Sequence, residues 1–376
     1  MGCPLCQKQD PKGIMALRFG TPQYLLHAVG SYMARTYPMA VITTPKQVEF
    51  QERTLPELSD NDVLIRVRAV AICGSDLHIF NGKHPSVPLP SAIGHEVSGV
   101  IEGTGKHVSQ FREGDRVTVE PVIVCGTCEF CLSGRYNLCT QISFQYRQGQ
   151  GAFTPYFVAE EKWVHHLPEN VSFEEGALVE PLAVAIHGVE KAGIQLGRTT
   201  TIFGEGAIGL LILMLVNRLG DGQTFVVGAQ QHRLAKAMEL GANEVFDNRE
   251  GDAVSAILER TSGAGTDLSF EAVGKEETLL QSLRVLRKGG MAVLLGIFEE
   301  PEVGIMPNLF IQKEISLVGS QGYCRDFQTA LKLIRQGAVR PGELITHVLP
   351  LESLQDGFEL LMDEASEAIK VVIKVA

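Results

Sequence analysis

Two groups of residues in this chain have the types and spacing to hold a metal ion. The first is Cys125-Gly-Thr-Cys128-Glu-Phe-Cys131 followed by Cys139, a C-x2-C-x2-C-x7-C array. Four thiolates at this spacing surround one Zn²⁺ tetrahedrally and leave no coordination position open, so such a site staples a lobe and does no chemistry. Gly126 and Gly134 let the loop fold tightly around it. The second group is Cys73-Gly-Ser75-Asp76-Leu-His78 with the later Gly94-His95-Glu96. A thiolate, an imidazole and a carboxylate form a donor set suited to Zn²⁺, and three ligands leave room for water or a substrate oxygen. Spacing alone keeps blander readings open here, with Cys73 a packed thiol and Glu96 a solvated charge.

A third motif carries phosphate chemistry. Gly204-Glu205-Gly206-Ala207-Ile208-Gly209 fits GxGxxG, follows the apolar segment Thr199 to Phe203 and opens an apolar helix. In such a turn the first Gly makes the bend, the second lets backbone approach a pyrophosphate, and the third lets helix and strand pack closely. The helix amides then face the anion. Glu205 puts a carboxylate inside this loop, which repels anions unless it points outward. The acid that reads a ribose belongs at the end of the next strand, about 20 residues on. Gly228 occupies that place, followed by Ala-Gln-Gln-His232-Arg233. Without the acid a 2′-phosphate meets less repulsion, and Arg233 or His232 offers positive charge. NAD and NADP both stay open.

These motifs need two kinds of scaffold. From Met39 to about Val171, short β-like runs alternate with Gly- and Pro-rich turns, the texture of a β-rich, irregular domain. From about Glu180, strands and helices alternate with short loops. Strands fall at Thr199–Phe203, Thr224–Val227, Glu244–Phe246, Asp267–Ala272, Met291–Gly296 and Ile315–Val318, and helices at Ala207–Leu219, Arg233–Leu240, Ala253–Glu259, Glu277–Leu286 and Phe327–Arg335. That alternation predicts an α/β fold with a doubly wound parallel sheet. Residues 1–38 read as an extension outside the fold, with regular patterning starting at Met39. They carry a net charge of +3 and a lone Cys3-Pro-Leu-Cys6 pair, and a metal or redox arm built on that pair and a short basic targeting arm are the other readings.

Composition narrows the function classes. The chain has 376 residues, 45% hydrophobic and 20% charged, which suits two globular domains rather than disorder. Its net charge of −11 argues against nucleic acid or an anionic membrane as partner. The longest apolar run, Ala207 to Val216, is half of what a bilayer span requires, about 20 residues. Four of the eight cysteines cluster in one loop of a large chain, which favours metal ligation in a reducing cytoplasm over a disulfide framework.

Taken together, CGSDLH, GHE, the four-cysteine loop, Glu180-Pro-Leu-Ala and GEGAIG, in that order, resemble the zinc-containing medium-chain dehydrogenase/reductases. The resemblance runs from Met39 to the C-terminus and is closest to the polyol (sorbitol) and L-threonine dehydrogenase branch. It implies a GroES-like catalytic domain of residues 39–182 and 323–376 around a Rossmann-like dinucleotide-binding domain of residues 183–322. It further implies two zinc ions per chain, one catalytic and one structural. Cys73 and His95 match catalytic zinc ligands, Glu96 matches a third, and Glu180 matches a carboxylate that ligates zinc or holds its water. Ser75 matches the hydroxyl that bonds the substrate alcohol, His78 a proton relay, and Asp76 an acid that orients His95. Gly204, Gly206, Ala207, Ile208, Gly209, Gly228 and Arg233 fall at the dinucleotide site. The implied reaction is hydride transfer between a secondary alcohol and NAD(P), in a homodimer or homotetramer. An activity on L-threonine is the alternative, and a zinc-stapled binding protein without catalysis is the alternative of another class.

Overall fold

The computed structural model describes residues 36–220 and 222–376. The N-terminal part and the C-terminal tail build one mixed seven-stranded sheet in the order Val164–His166, Arg116–Val119, Glu96–Thr104, Asp62–Ala71, Lys370–Lys374, Ile345–Pro350, with Tyr156–Glu160 also pairing with Asp62–Ala71. Asp62–Ala71 therefore has three neighbours, and it is apolar almost throughout because both of its faces are covered. Val63, Ile65, Val67, Val97, Phe153, Phe157 and Phe358 fill the core beneath it. Phe80 stacks on Phe358 with ring centroids 4.5 Å apart, which fixes the short helix Gly74–Phe80 against the tail of the chain.

Three strands, Gln47–Thr54, Thr36–Thr44 and Ser91–Ala92, form a small antiparallel sheet beside this body. Residues 36–38, expected to belong to an extension outside the fold, lie in the first of these strands in sequence. Thr36, Tyr37 and Pro38 pair with Thr54, Arg53 and Glu52. Tyr37 is buried edge-on against Tyr156, and Thr154 donates to the Pro38 carbonyl, so these residues are fastened by packing that no local periodicity reveals. Cys3 and Cys6 lie outside the described residues.

The middle of the chain forms a six-stranded parallel sheet in the order Glu244–Asp247, Thr224–Gly228, Thr200–Phe203, Thr266–Glu271, Leu286–Leu294, Ser316–Gly319. In sequence this is 3-2-1-4-5-6, the doubly wound arrangement, and the order reverses beside Thr200–Phe203. The GxGxxG turn follows that strand directly and leads into the helix Ala207–Arg218. The expected helices and strands are found within a few residues, the helix Pro307–Lys313 is additional, and one boundary differs more. The helix expected to reach Leu286 stops at Arg284, and the next strand begins at Leu286 rather than Met291. Leu286 pairs with Thr266 and the Thr266 amide bonds the Val285 carbonyl, so sheet pairing takes the residues that helical periodicity claimed.

A helix not foreseen from periodicity, Val179–Ala192, runs between the two bodies. Pro181 sits in its first turn, where its missing N–H breaks no helical bond. The helix packs with Ala207–Arg218 and with Asp326–Arg335 in one apolar core that contains Leu182, Ile186, Leu211, Phe327 and Ile334. Among the described residues no helix is long and apolar enough to cross a membrane.

One glycine is fixed by both backbone and packing. Gly94 has φ +90°, and a Cβ there would lie 2.7 Å from the Phe153 ring. Gly114 has nearly the same φ, +92°, but open space around it. Gly94→Ala is expected to cost stability by about 1–3 kcal/mol more than Gly114→Ala, because only the first adds a collision to the strained φ. Chemical denaturation of the two variants measures the difference.

Candidate active site

Strand register brings the first donor set together. Ala71 pairs with Glu96 on one side and with Val372 on the other. Cys73 follows Ala71 by two residues, Gly94 precedes Glu96 by two, and Lys370 precedes Val372 by two. Cys73 is then the N-cap of the helix Gly74–Phe80. Asp76, fully buried in the first turn, accepts from the Cys73 amide at 3.1 Å and from the Gly94 amide at 3.2 Å. One carboxylate thus ties the loop carrying the thiol to the loop carrying the imidazole.

The donor atoms of Cys73, His95 and Glu96 lie within 4.8 Å of one another. Glu180, at the start of its helix, is buried nearby but outside that group of three. Burial pushes the Glu180 carboxyl up to about 7, and Glu96 adds to the effect against the opposing pull of His95 and Lys370. Burial alone would lower the His95 imidazole, but Asp76 and Cys73 outweigh it and raise it well above the usual histidine range. His95 Nδ1 is buried 3.6 Å from Asp76 Oδ1, beyond hydrogen-bond length, and it has no hydrogen-bond partner. A buried imidazole short of partners beside a thiol and a carboxylate fits a Zn²⁺ ion by the chemistry of its donors.

Three residues of the site were not foreseen. Lys370 is buried, and its Nζ lies 2.8 Å from Glu96 Oε1 and 2.7 Å from Oε2, while it also donates to the Ile72 carbonyl at 2.9 Å. Burial would lower the Lys370 ammonium, but Glu96 outweighs it and raises it. A signal existed, since Lys370 interrupts the apolar run Ala368-Ile369-Lys370-Val371-Val372-Ile373. Tyr323 is buried beside Glu180, and burial together with that carboxylate raises its phenol well above the usual value. Glu299 accepts or shares a proton with His78 Nδ1 at 3.0 Å and pairs with Lys83 at 3.3 Å. It lies in the loop after Leu286–Leu294, so His78 is held by the opposite half of the molecule, and nothing local in the sequence predicts that contact. Ser75 is half-buried in the helix turn between Cys73 and His78.

The four-cysteine loop is separate from these residues. The sulfur atoms of Cys125, Cys128, Cys131 and Cys139 lie within 4.8 Å of one another. Cys139 and Cys125 are 3.5 Å apart and Cys125 and Cys131 4.0 Å, too far for a disulfide. Gly126 and Gly134 have φ of +70° and +76° and bend the loop. Backbone amides donate to the sulfurs of Cys125 and Cys139 at 3.3–3.4 Å. Hydrogen bonds from the Cys131 and Thr140 backbone lower the Cys128 thiol, whereas burial and its thiol neighbours raise Cys131. A cation among the four removes that conflict, so the loop fits a closed zinc site.

At the nucleotide turn Gly204 has φ +113° and its amide bonds the Val227 carbonyl at 2.9 Å. Gly206 is the helix N-cap, and the space where its Cβ would sit is open. A Cβ on Gly209 would collide with the Gly204 carbonyl. The three glycines therefore make a bend, an accessible backbone and a close helix contact, the cradle a dinucleotide pyrophosphate needs. Ala207 and Ile208 begin the helix. Arg233 donates from Nε and Nη2 to the Ala368 carbonyl at 3.2 and 2.7 Å, which commits it to the C-terminal segment. Glu205 turns away from the loop, toward Gly228.

Residues 59–169 match the alcohol dehydrogenase GroES-like domain, and residues 207–336 match the zinc-binding dehydrogenase domain. Sorbitol dehydrogenase of Bacillus subtilis (strain 168) is 33% identical over 349 residues, covering 91% of this chain and 99% of that protein. The chain belongs to the zinc-type medium-chain alcohol dehydrogenases, in their polyol branch. It shares the fold of a zinc-binding dehydrogenase from Sinorhizobium meliloti 1021 bound to NADP, with a TM-score of 0.84, 31% identity, and coverage of 90% of this chain and 99% of that one. A short chain alcohol dehydrogenase from Escherichia coli CFT073 complexed with NADH gives a TM-score of 0.84 at 28% identity, with the same coverage of both chains. This dehydrogenase is accordingly a zinc- and NAD(P)-dependent oxidoreductase with a small-molecule alcohol substrate.

Two variants test the supports of the site. Lys370→Met leaves a buried carboxylate without its cation and is expected to lose about 3–5 kcal/mol of unfolding free energy, most of which Lys370→Arg retains. Cys128→Ser is expected to remove one zinc equivalent per chain and lower the thermal midpoint, read by metal analysis and calorimetry, with a second zinc equivalent retained.

Proposed function

We propose that this dehydrogenase oxidises a secondary alcohol of a polyol, sugar alcohol or sugar acid to a ketone, passing hydride to NAD(P). Cys73, His95 and Glu96, with Glu180 beside them, hold the catalytic zinc, and Cys125, Cys128, Cys131 and Cys139 hold a second, structural zinc. Bound there, the catalytic zinc supplies a Lewis acid that lowers the alcohol pKa, and the dinucleotide supplies the hydride acceptor. The single observation that carries this reading is the half-buried thiol within 4.8 Å of a buried imidazole and a buried carboxylate, in a chain whose GxGxxG turn opens at the sheet's switch point.

The protein's own residues then handle the proton. The Ser75 hydroxyl accepts it from the substrate hydroxyl and passes it on to His78. Glu299 holds His78 Nδ1, which orients the ring while the proton moves toward solvent. Lys370 pairs with Glu96 and holds it in place, and Asp76 fixes the two loops that carry Cys73 and His95. Gly204, Gly206 and Gly209 position the dinucleotide. Assembly as a homodimer or homotetramer and a cytoplasmic location complete the reading.

A panel of polyols, sugar acids and L-threonine, each with NAD and NADP, is the test. Polyols are expected to be oxidised and L-threonine to be poor, and removal of zinc with a chelator should abolish turnover. Full activity of protein shown by metal analysis to be zinc-free would refute the proposal. Ser75→Ala is expected to lower kcat by about 10²–10⁴-fold at unchanged zinc content.

A further inference from the structure

The end of Thr224–Gly228 carries no acid, but a carboxylate from another element lies against it. Glu205, inside the phosphate turn, accepts from the Ala229 amide at 2.9 Å and the Gln230 amide at 3.0 Å through Oε1. Its carboxyl carbon and Oε2 each lie 2.5 Å from the point where a Gly228 Cβ would begin. The carboxylate therefore stands where an acidic side chain rooted at residue 228 would start. A side chain at residue 228 would displace the Glu205 carboxylate from this position. The same contacts explain how an acid is tolerated in a phosphate loop, since two strand-end amides hold it away from the turn.

The cations near it are engaged in other contacts, although Arg233 also feels the Glu205 charge. Arg233 is committed to the Ala368 carbonyl. Arg249, on the neighbouring strand end, is paired with Asp247 at 3.0 Å, and Asp247 also accepts from Gln231 at 2.8 Å. A carboxylate accepts hydrogen bonds from the 2′- and 3′-hydroxyls of a ribose and repels a 2′-phosphate.

We infer that Glu205, lodged over Gly228, is the specificity-determining residue for the adenosine ribose and makes this dehydrogenase select NAD over NADP. This rests on the oxidoreductase reading above and adds the cofactor choice to it. The acid stands in the loop rather than on the strand, and a glycine at the strand end leaves room for it. The two positions form one unit.

Dissociation constants of NADH and NADPH for the zinc-loaded protein, from isothermal titration calorimetry and nicotinamide fluorescence, test the inference without turnover. Wild type is expected to bind NADH at least about tenfold tighter than NADPH. Glu205→Gln keeps the shape and removes the charge, so this preference should shrink about tenfold, chiefly through tighter NADPH binding. The double variant Glu205→Ala, Gly228→Asp returns the acid to the strand and should restore the preference for NADH, whether or not the single variant folds well. Equal or tighter binding of NADPH by wild type, as when His232 or Arg233 reads a 2′-phosphate, overturns the inference and leaves the oxidoreductase reading intact. So does an unchanged ratio in Glu205→Gln. Failure of wild type to bind either dinucleotide overturns both.

Discussion

Glu96 is fully buried, and an ionised carboxylate in that position needs a cation within reach. Lys370 meets the need from the last strand of the chain, 274 residues away. The register of three adjacent strands makes the meeting possible: Ala71 faces Glu96 on one side and Val372 on the other. A slip of one residue in either ladder would turn Glu96 or Lys370 to the opposite face of the sheet. The apolar packing that fixes register, with Val63, Ile65, Val67 and Val97 beneath the sheet, is thus also what places the charged groups of the site.

Asp76 applies the same economy to the loops. Its two oxygens hold the Cys73 and Gly94 amides, so the thiol and the imidazole are set by backbone hydrogen bonds rather than by long flexible side chains. Buried polar groups that are satisfied in this way act as a rigid frame. His95 Nδ1 is the exception, buried 3.6 Å from Asp76 without a hydrogen-bond partner, on a residue grouped with Cys73 and Glu96 in a donor set that suits a metal ion. Strain and unsatisfied groups collect where chemistry is done, and the surrounding ladders carry their cost.

The two halves of the molecule meet through charged side chains as well as apolar ones. Glu180 enters on the helix Val179–Ala192, which packs on the nucleotide side, yet its carboxylate lies near His95, Glu96 and Lys370. His78, from the catalytic side, is held by Glu299 from the loop after a strand of the parallel sheet. The doubly wound sheet places its glycine turn where strand order reverses, where a crevice opens for a ligand.

The sequence by itself determined what is local. The four-cysteine loop, the GxGxxG turn between strand and helix, and the alternation of strands and helices after Glu180 are written in short spacings, because ligand reach, turn geometry and helical period act over a few residues. Family motifs named Cys73, His95, Glu96 and Glu180 as candidates for one site, although 107 positions separate the first from the last. Tertiary structure alone decided the rest. It set Lys370 on Glu96 and Glu299 on His78, fastened Tyr37 against Tyr156, and ended a helix at Arg284 in favour of sheet pairing. It also carried Glu205 across to Gly228, so that an acid missing from one strand is present in space. Such contacts join residues distant along the chain, and their free energy depends on register and burial that exist only once the sheets have formed.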